Sequence, residues 1–140
     1  MLDAQPVSVH EIRVEGDLVT LHSSGITTLE DTKRIFMATT AVYERYGYAL
    51  LLIDSSGGAS ATPEARRYQS DRLRQRIFPS HTAIYGFSTL SRAAIILMTR
   101  ATELLTGTKL PVDMVADEQT GRKILNEARE RFRAQGIAKK

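Results

Sequence analysis

The sequence predicts an α/β fold: a single domain over residues 1–140 in the order β-β-α-β-α-β-α-β-α, with 1–6 and 136–140 frayed. Its core would be a mostly parallel five-stranded sheet with an N-terminal hairpin and helices packed on it. Three observations lead there. Short apolar runs alternate with segments of helical periodicity, the mark of parallel strands joined by right-handed crossovers. The run Ala49-Leu50-Leu51-Leu52-Ile53 is apolar without alternation, as a strand covered on both faces reads. Caps, glycines and prolines punctuate the chain where those segments change.

The elements follow in order. Val7, Val9, Ile12 and Val14 suggest a first strand, with a break in alternation near His10-Glu11 that reads as a bulge. Glu15-Gly16-Asp17 turns the chain, and Leu18 to His22 returns it. Ser23 to Thr27 is a loop. Thr28 then stands as an N-cap with Asp31 in the third helical place of a capping box. Ile35, Thr39, Val42 and Tyr46 recur at helical spacing, Leu29, Phe36 and Tyr43 widen the stripe, and Gly47 closes the helix. The apolar strand follows from Tyr48 and is expected to stop at Asp54, leaving Asp54 to Thr62 as loop.

Thr62-Pro63-Glu64 opens the second helix with a cap, a first-position proline and a dipole-complementing acid. It is expected to reach about Phe78. Its apolar face is thin (Ala65, Leu73 and Ile77, with Tyr68 beside them), while Arg66, Arg67, Arg72, Arg74 and Arg76 cover the rest. That face is either a solvated surface or a docking face for an acidic partner. Thr82 to Phe87 is the next strand. Ser88 or Ser91 caps a third helix that reaches Leu105 and ends at Gly107. Leu90, Ala93, Ala94, Leu97, Met98, Ala101, Leu104 and Leu105 already make a complete buried stripe there. Ile95 and Ile96 fall outside it, which marks them for deep burial or for an interface such as a homodimer. Leu110 to Ala116 is the last strand, with Pro111 indicating an edge. Asp117 caps a fourth helix whose buried face is Ile124, Leu125, Ala128 and Phe132, and Gly136 ends it.

The composition narrows the class. With 42% hydrophobic and 25% charged residues, the chain has the make-up of a globular protein. The net charge of +3, from 19 Lys+Arg against 16 Asp+Glu, permits an anionic partner without demanding one. Aromatic residues are few and do not interleave with basic ones, so no nucleic-acid surface is expected. The absence of cysteine excludes disulfides and thiolate metal sites. Met1 to Pro6 lacks the regions of a signal peptide, and no apolar run is long enough to span a bilayer; a cytoplasmic location is expected.

Three joints carry a resemblance. The apolar strand ending at Asp54 is followed by a small loop and Thr62-Pro63-Glu64-Ala65. The strand at Thr82 to Phe87 leads into a long apolar helix, and the last strand runs into Val115-Ala116-Asp117-Glu118. In this order and spacing, from about Val7 to Arg133, the chain resembles the STAS superfamily and within it the SpoIIAA-like (STAS/Sec14-like) group. The resemblance implies a regulatory module in which a serine at the start of the second helix, in an Asp-Ser-Ser-Gly type sequence, is phosphorylated. Asp54-Ser55-Ser56-Gly57 has that composition, but alignment on the strand places the acceptor region near Ser60 to Thr62. Ser56, Ser60 and Thr62 are therefore the candidate phospho-acceptors. A phosphate there would meet the N–H groups of a helix start. Equally, Thr62 has reason enough to exist as a cap, and the glycines and serines as loop formers.

Enzyme chemistry finds no constellation. Asp54 with Ser55 or Ser56 and His81 would be the one available triad, but His81 precedes a strand and the others follow one, at opposite ends of a parallel sheet. Nucleophile-elbow, P-loop and dinucleotide fingerprints are absent, and His10, His22 and His81 have no metal-ligand spacing. The expectation is a non-enzymatic module without metal or cofactor. It would bind a protein partner through Asp54, Ser56, Gly57, Gly58, Ser60, Thr62, Arg66 and Arg67. The alternative, implied by the Sec14-like part of the resemblance and by the apolar third helix, is a domain that binds a small apolar ligand or lipid.

Overall fold

The computed structural model describes residues 11–58, 60–75, 78–107 and 109–137. Five strands, β1 (Glu11–Glu15), β2 (Leu18–Ser24), β3 (Ala49–Gly57), β4 (Ser80–Tyr85) and β5 (Val112–Met114), lie side by side in sequence order. The sheet is mixed. β1 is antiparallel to β2 across the Gly16 turn, and β2 to β5 are parallel. The expected start of the first strand at Val7, and the bulge near His10, lie outside the described residues. β5 is an edge strand, as Pro111 predicts, and is shorter than the expected run.

Four helices cross between the strands: α1 (Leu29–Tyr46), α2 (Pro63–Gln75), α3 (Thr89–Thr106) and α4 (Glu118–Ala134). In α1, α3 and α4 the ends are made as the sequence indicates, whereas α2, expected to reach about Phe78, ends at Gln75. Thr28 and Asp31 form a reciprocal capping box, Ser88 and Asp117 cap α3 and α4, and Gly47 and Gly107 take left-handed conformations at the helix exits.

Side-chain alternation divides the sheet into two faces. On one, Leu18, Leu50, Leu52 and Ala83 pack with Tyr48 against Leu125 and Ala128 of α4. Gly121 permits the approach, because a Cβ there would lie 2.8 Å from Leu52 Cδ1. On the other face, Val19 and Ala49 pack against Val42 of α1. Beyond them Leu21, Leu51, Ile53, Ile84 and Val112 lie beneath α2 and α3.

Two expectations are corrected. β3 does not stop at Asp54. Asp54-Ser55-Ser56-Gly57 continues the strand because β2 also runs on: Ser24 pairs with Gly57 after a register shift near His22. The second correction concerns α3. Its inner side is Ile95, 8% exposed, with Thr102 at 8%. The leucine stripe faces out, with Leu90 at 82%, Leu97 at 72% and Leu104 at 85% exposed. The helix tolerates a polar inner face because Thr102 Oγ1 donates to the Met98 carbonyl at 3.0 Å, satisfying its own hydroxyl.

Candidate functional site

Above the sheet on the α1 side, α2 and α3 stand off the strands and leave a partly open cavity of about 280 Å³. Its floor is Leu21, Leu51, Ile53 and Ile84, and Ile95 and Met98 of α3 form much of the cover. Arg66 is the charged residue among its described lining. Ser23, Ser55 and Gly58 line the end of the cavity near the carboxyl ends of the strands. That is the end at which open parallel sheets commonly hold ligands.

The loops at this end are zipped together. Gly25 N–H donates to the Gly57 carbonyl at 3.1 Å, Thr27 N–H to Ser60 at 3.0 Å, and Thr62 N–H to Thr27 at 3.0 Å. Ser23 Oγ donates to the Gly58 carbonyl at 3.1 Å. Gly57 is required here for space, since a Cβ on it would collide with the Ser23 carbonyl oxygen. Gly58 has φ of +123°, open to glycine alone at little cost.

Alternation along β3 splits the sequence-predicted residues. Ser55 faces the cavity and is buried, whereas Asp54 points to the α4 face. There Asp54 Oδ2 lies 3.0 Å from Nδ1 of His22, and its Oδ1 accepts the Ser56 N–H at 2.9 Å. Burial pushes the Asp54 carboxyl up, but the Ser56 and His22 contacts outweigh it and hold the group below its ordinary value. Tyr85, hydrogen-bonded to Glu118 at 3.5 Å, is pushed up to about 12 by burial and by the Asp54 and Glu118 carboxylates. Gly86 stays small because a Cβ would meet Asp54 Oδ1 at 2.7 Å.

The His22–Asp54 pair was legible in one respect. Once β2 is parallel to β3, Leu18 to Leu21 lie abreast of Leu50 to Ile53, and the next residues are His22 and Asp54. His81 is at the opposite end of the sheet from Asp54, abreast of Leu50, with its Nε2 2.6 Å from Asp113. The two are not brought together, as their strand positions predict. Among the described residues no cluster of three or more His, Asp or Glu could hold a metal ion. No described helix is long and apolar enough to cross a membrane.

A second cavity of about 650 Å³ opens at that opposite edge, with Phe36, Arg72, Phe78, His81, Arg131 and Phe132 among its walls. It is the larger of the two, but the upper cavity has the more continuous apolar lining and lies beside the residues predicted from sequence.

No protein-family model matches the chain, and no curated protein matches it. A solved structure does. The crystal structure of an uncharacterised protein of the DUF3478 family from Shewanella loihica PV-4, described as having a SpoIIAA-like fold, superposes with a TM-score of 0.55. The match covers 84% of this chain and 92% of that one at 19% identity. The chain has a SpoIIAA-like fold.

On this SpoIIAA-like scaffold the remaining predicted residues spread along the cavity's rim. Ser56 and Ser60 are exposed. Thr62 is committed to the helix start, its Oγ1 accepting the Ala65 N–H at 3.1 Å. Arg66 and Arg67 are both exposed, and of the two Arg66 is part of the cavity's lining. Arg72 of α2 reaches toward α1, its guanidinium 5.7 Å from the Phe36 ring centre and 5.9 Å from that of Tyr68. Arg76 lies outside the described residues. Ile96 is half-buried beside the buried Ile95.

Proposed function

We propose that this protein is a non-enzymatic binding domain that takes up a small apolar ligand between its sheet and the pair α2 and α3. The cavity carries the reading: about 280 Å³, floored by aliphatic side chains of three parallel strands and covered by two helices. Ligand sites typically have mostly apolar walls with a small number of placed polar groups. Arg66, Ser23 and Ser55 are among the cavity's polar groups, and Thr82 of β4 with Thr99 and Thr102 of α3 adds hydroxyls to the walls.

The test is direct. The protein purified from its own cells would be analysed by native mass spectrometry and its organic extract by mass spectrometry. A bound apolar molecule released on denaturation is expected. A ligand-free protein whose thermal midpoint is unmoved by medium-chain alcohols would overturn the reading.

One observation favours a second reading, docking onto a protein partner or a second copy through α3. Leu90, Ala94, Leu97, Ala101 and Leu104 are all exposed and follow one another at alternating spacings of four and three residues. This is the seam of a coiled-coil helix, and a contiguous apolar strip of this kind marks an interaction surface. Sedimentation of wild type and Leu97→Lys would test it. A concentration-dependent dimer lost in the variant supports self-association, and a monomer in both removes it.

A further inference from the structure

The lower cavity has a chemistry of its own. It lies where the starts of β4 and β5 meet the end of α4, on the far side of the sheet's strand axis from Ser55 and Gly58. Three phenylalanines line it, Phe36 from α1, Phe78 from the approach to β4 and Phe132 from α4, together with Pro79 and Pro111. Two arginines line it as well, Arg72 from α2 and Arg131 from α4. Among the described residues no carboxylate lies in ion-pairing distance of either. The Nε of Arg72 is buried without any hydrogen-bond partner, so it is through its outer Nη groups that this side chain can meet a molecule in the cavity.

The acid closest in role, Asp113, is already occupied. Its Oδ2 is 2.6 Å from Nε2 of His81, and Nδ1 of His81 is 3.4 Å from Nη2 of Arg131. With the ring proton on Nε2, His81 donates to Asp113 and accepts from Arg131. The chain Asp113–His81–Arg131 thus orients the guanidinium while leaving its other N–H groups to bond elsewhere.

We propose that this lower cavity, which adjoins the apolar one at Phe36 and Leu110, is a second binding site, for an aromatic anion. The aryl body packs among Phe36, Phe78 and Phe132. The carboxylate or phosphate group is held by Arg72 and Arg131, whose planar forks suit oxyanions. About 650 Å³ accommodates one or two rings with an acidic substituent. Aromatic stacking and a charge-assisted bond are both needed, so neither a neutral arene nor a bare oxyanion substitutes.

The experiment is a titration of the full chain, followed by amide chemical shifts, with 1-naphthoate, naphthyl phosphate, naphthalenemethanol and inorganic phosphate. One or both aryl anions are expected to bind, moving the amides of Ser80, His81 and Gln135, which line this cavity and not the upper one; which binds tighter identifies the acidic group. Arg131→Gln, at an exposed position, should weaken the better anion about tenfold or more. Arg72→Gln should do the same if it folds. Lys33→Gln, an exposed position that lines neither cavity, should leave the affinity within twofold. The proposal is overturned if the neutral alcohol binds as well as the anions, or if inorganic phosphate alone moves the same amides equally. It is also overturned if the shifts fall on Leu51, Ile53 and Ile95 instead, or if Arg131→Gln binds as wild type does. Failure here would leave the apolar-ligand reading of the upper cavity intact, because that reading is tested on other residues with uncharged ligands.

Discussion

At the scale of single residues, the strongest polar anchor is one that no motif reveals. Asp17, at the turn between β1 and β2, is buried. It accepts from Tyr48 Oη at 2.5 Å and from Arg129 of α4 through Nε at 2.6 Å and Nη2 at 2.7 Å. It ties the hairpin, the start of β3 and the last helix together across more than a hundred residues of sequence. Burial pushes its carboxyl up, yet the Arg129 and Tyr48 bonds outweigh that and hold it below its ordinary value. The group is therefore a depressed carboxylate. Its contribution is complete above the unfolded pKa of about 3.9 and drains away as the pH falls through the folded value. Asp17→Asn should cost about 3 kcal/mol in urea unfolding at neutral pH, since it leaves the Arg129 charge partly buried and unpaired. The penalty should shrink as both proteins are taken into acid. A penalty that is the same at low pH would show that packing rather than charge is lost. Sequence reading treated Asp17 as a turn former, because a partner 112 positions away has no local signature.

At the scale of elements, α3 shows where hydrophobic patterning misleads. Helix ends were legible, since capping is local chemistry: Ser88 and Gly107 close α3 as predicted. Its facing was not. The usual assumption sends the longest apolar stripe inward, yet Ile95, Thr99 and Thr102 line the cavity and the leucines face out. Threonine hides this, because its hydroxyl can bond the preceding turn and be buried at little cost. The facing makes a paired prediction. Ile95→Ala should destabilise by about 2 kcal/mol, the low end for such truncations because the site already borders a cavity. Leu97→Ala should stay within about 0.5 kcal/mol, as exposed positions do. Chemical denaturation of the two variants at low concentration checks both. The reverse order would restore the inward stripe. The same reasoning covers β3. Its apolar core was plain, but its continuation through Asp54 to Gly57 depends on pairing with β2, which no periodicity within β3 announces.

At the scale of the molecule, the sheet has one face sealed by α4 and one face left partly open under α2 and α3, and the proposed ligand follows from that asymmetry. Leu50 and Leu52 are buried, whereas Leu51 and Ile53, their neighbours on the other face, are only half-buried and line the cavity. A larger side chain at Ile53 can therefore grow into the cavity without displacing packed atoms. Ile53→Phe should raise stability by up to about 1 kcal/mol, as cavity-filling substitutions commonly do. It should also remove the ligand. A ligand that binds only the folded chain raises its stability by about 2.7 kcal/mol at a hundred times its dissociation constant. Wild type titrated with a medium-chain alcohol should accordingly gain stability in thermal unfolding, and Ile53→Phe should not. Two results together decide the matter. If the variant is as stable as wild type yet still responds to the alcohol, the ligand sits elsewhere. If the variant is markedly destabilised, the space beneath α2 and α3 is already filled by the protein's own side chains, and the sheet's second face is as closed as its first.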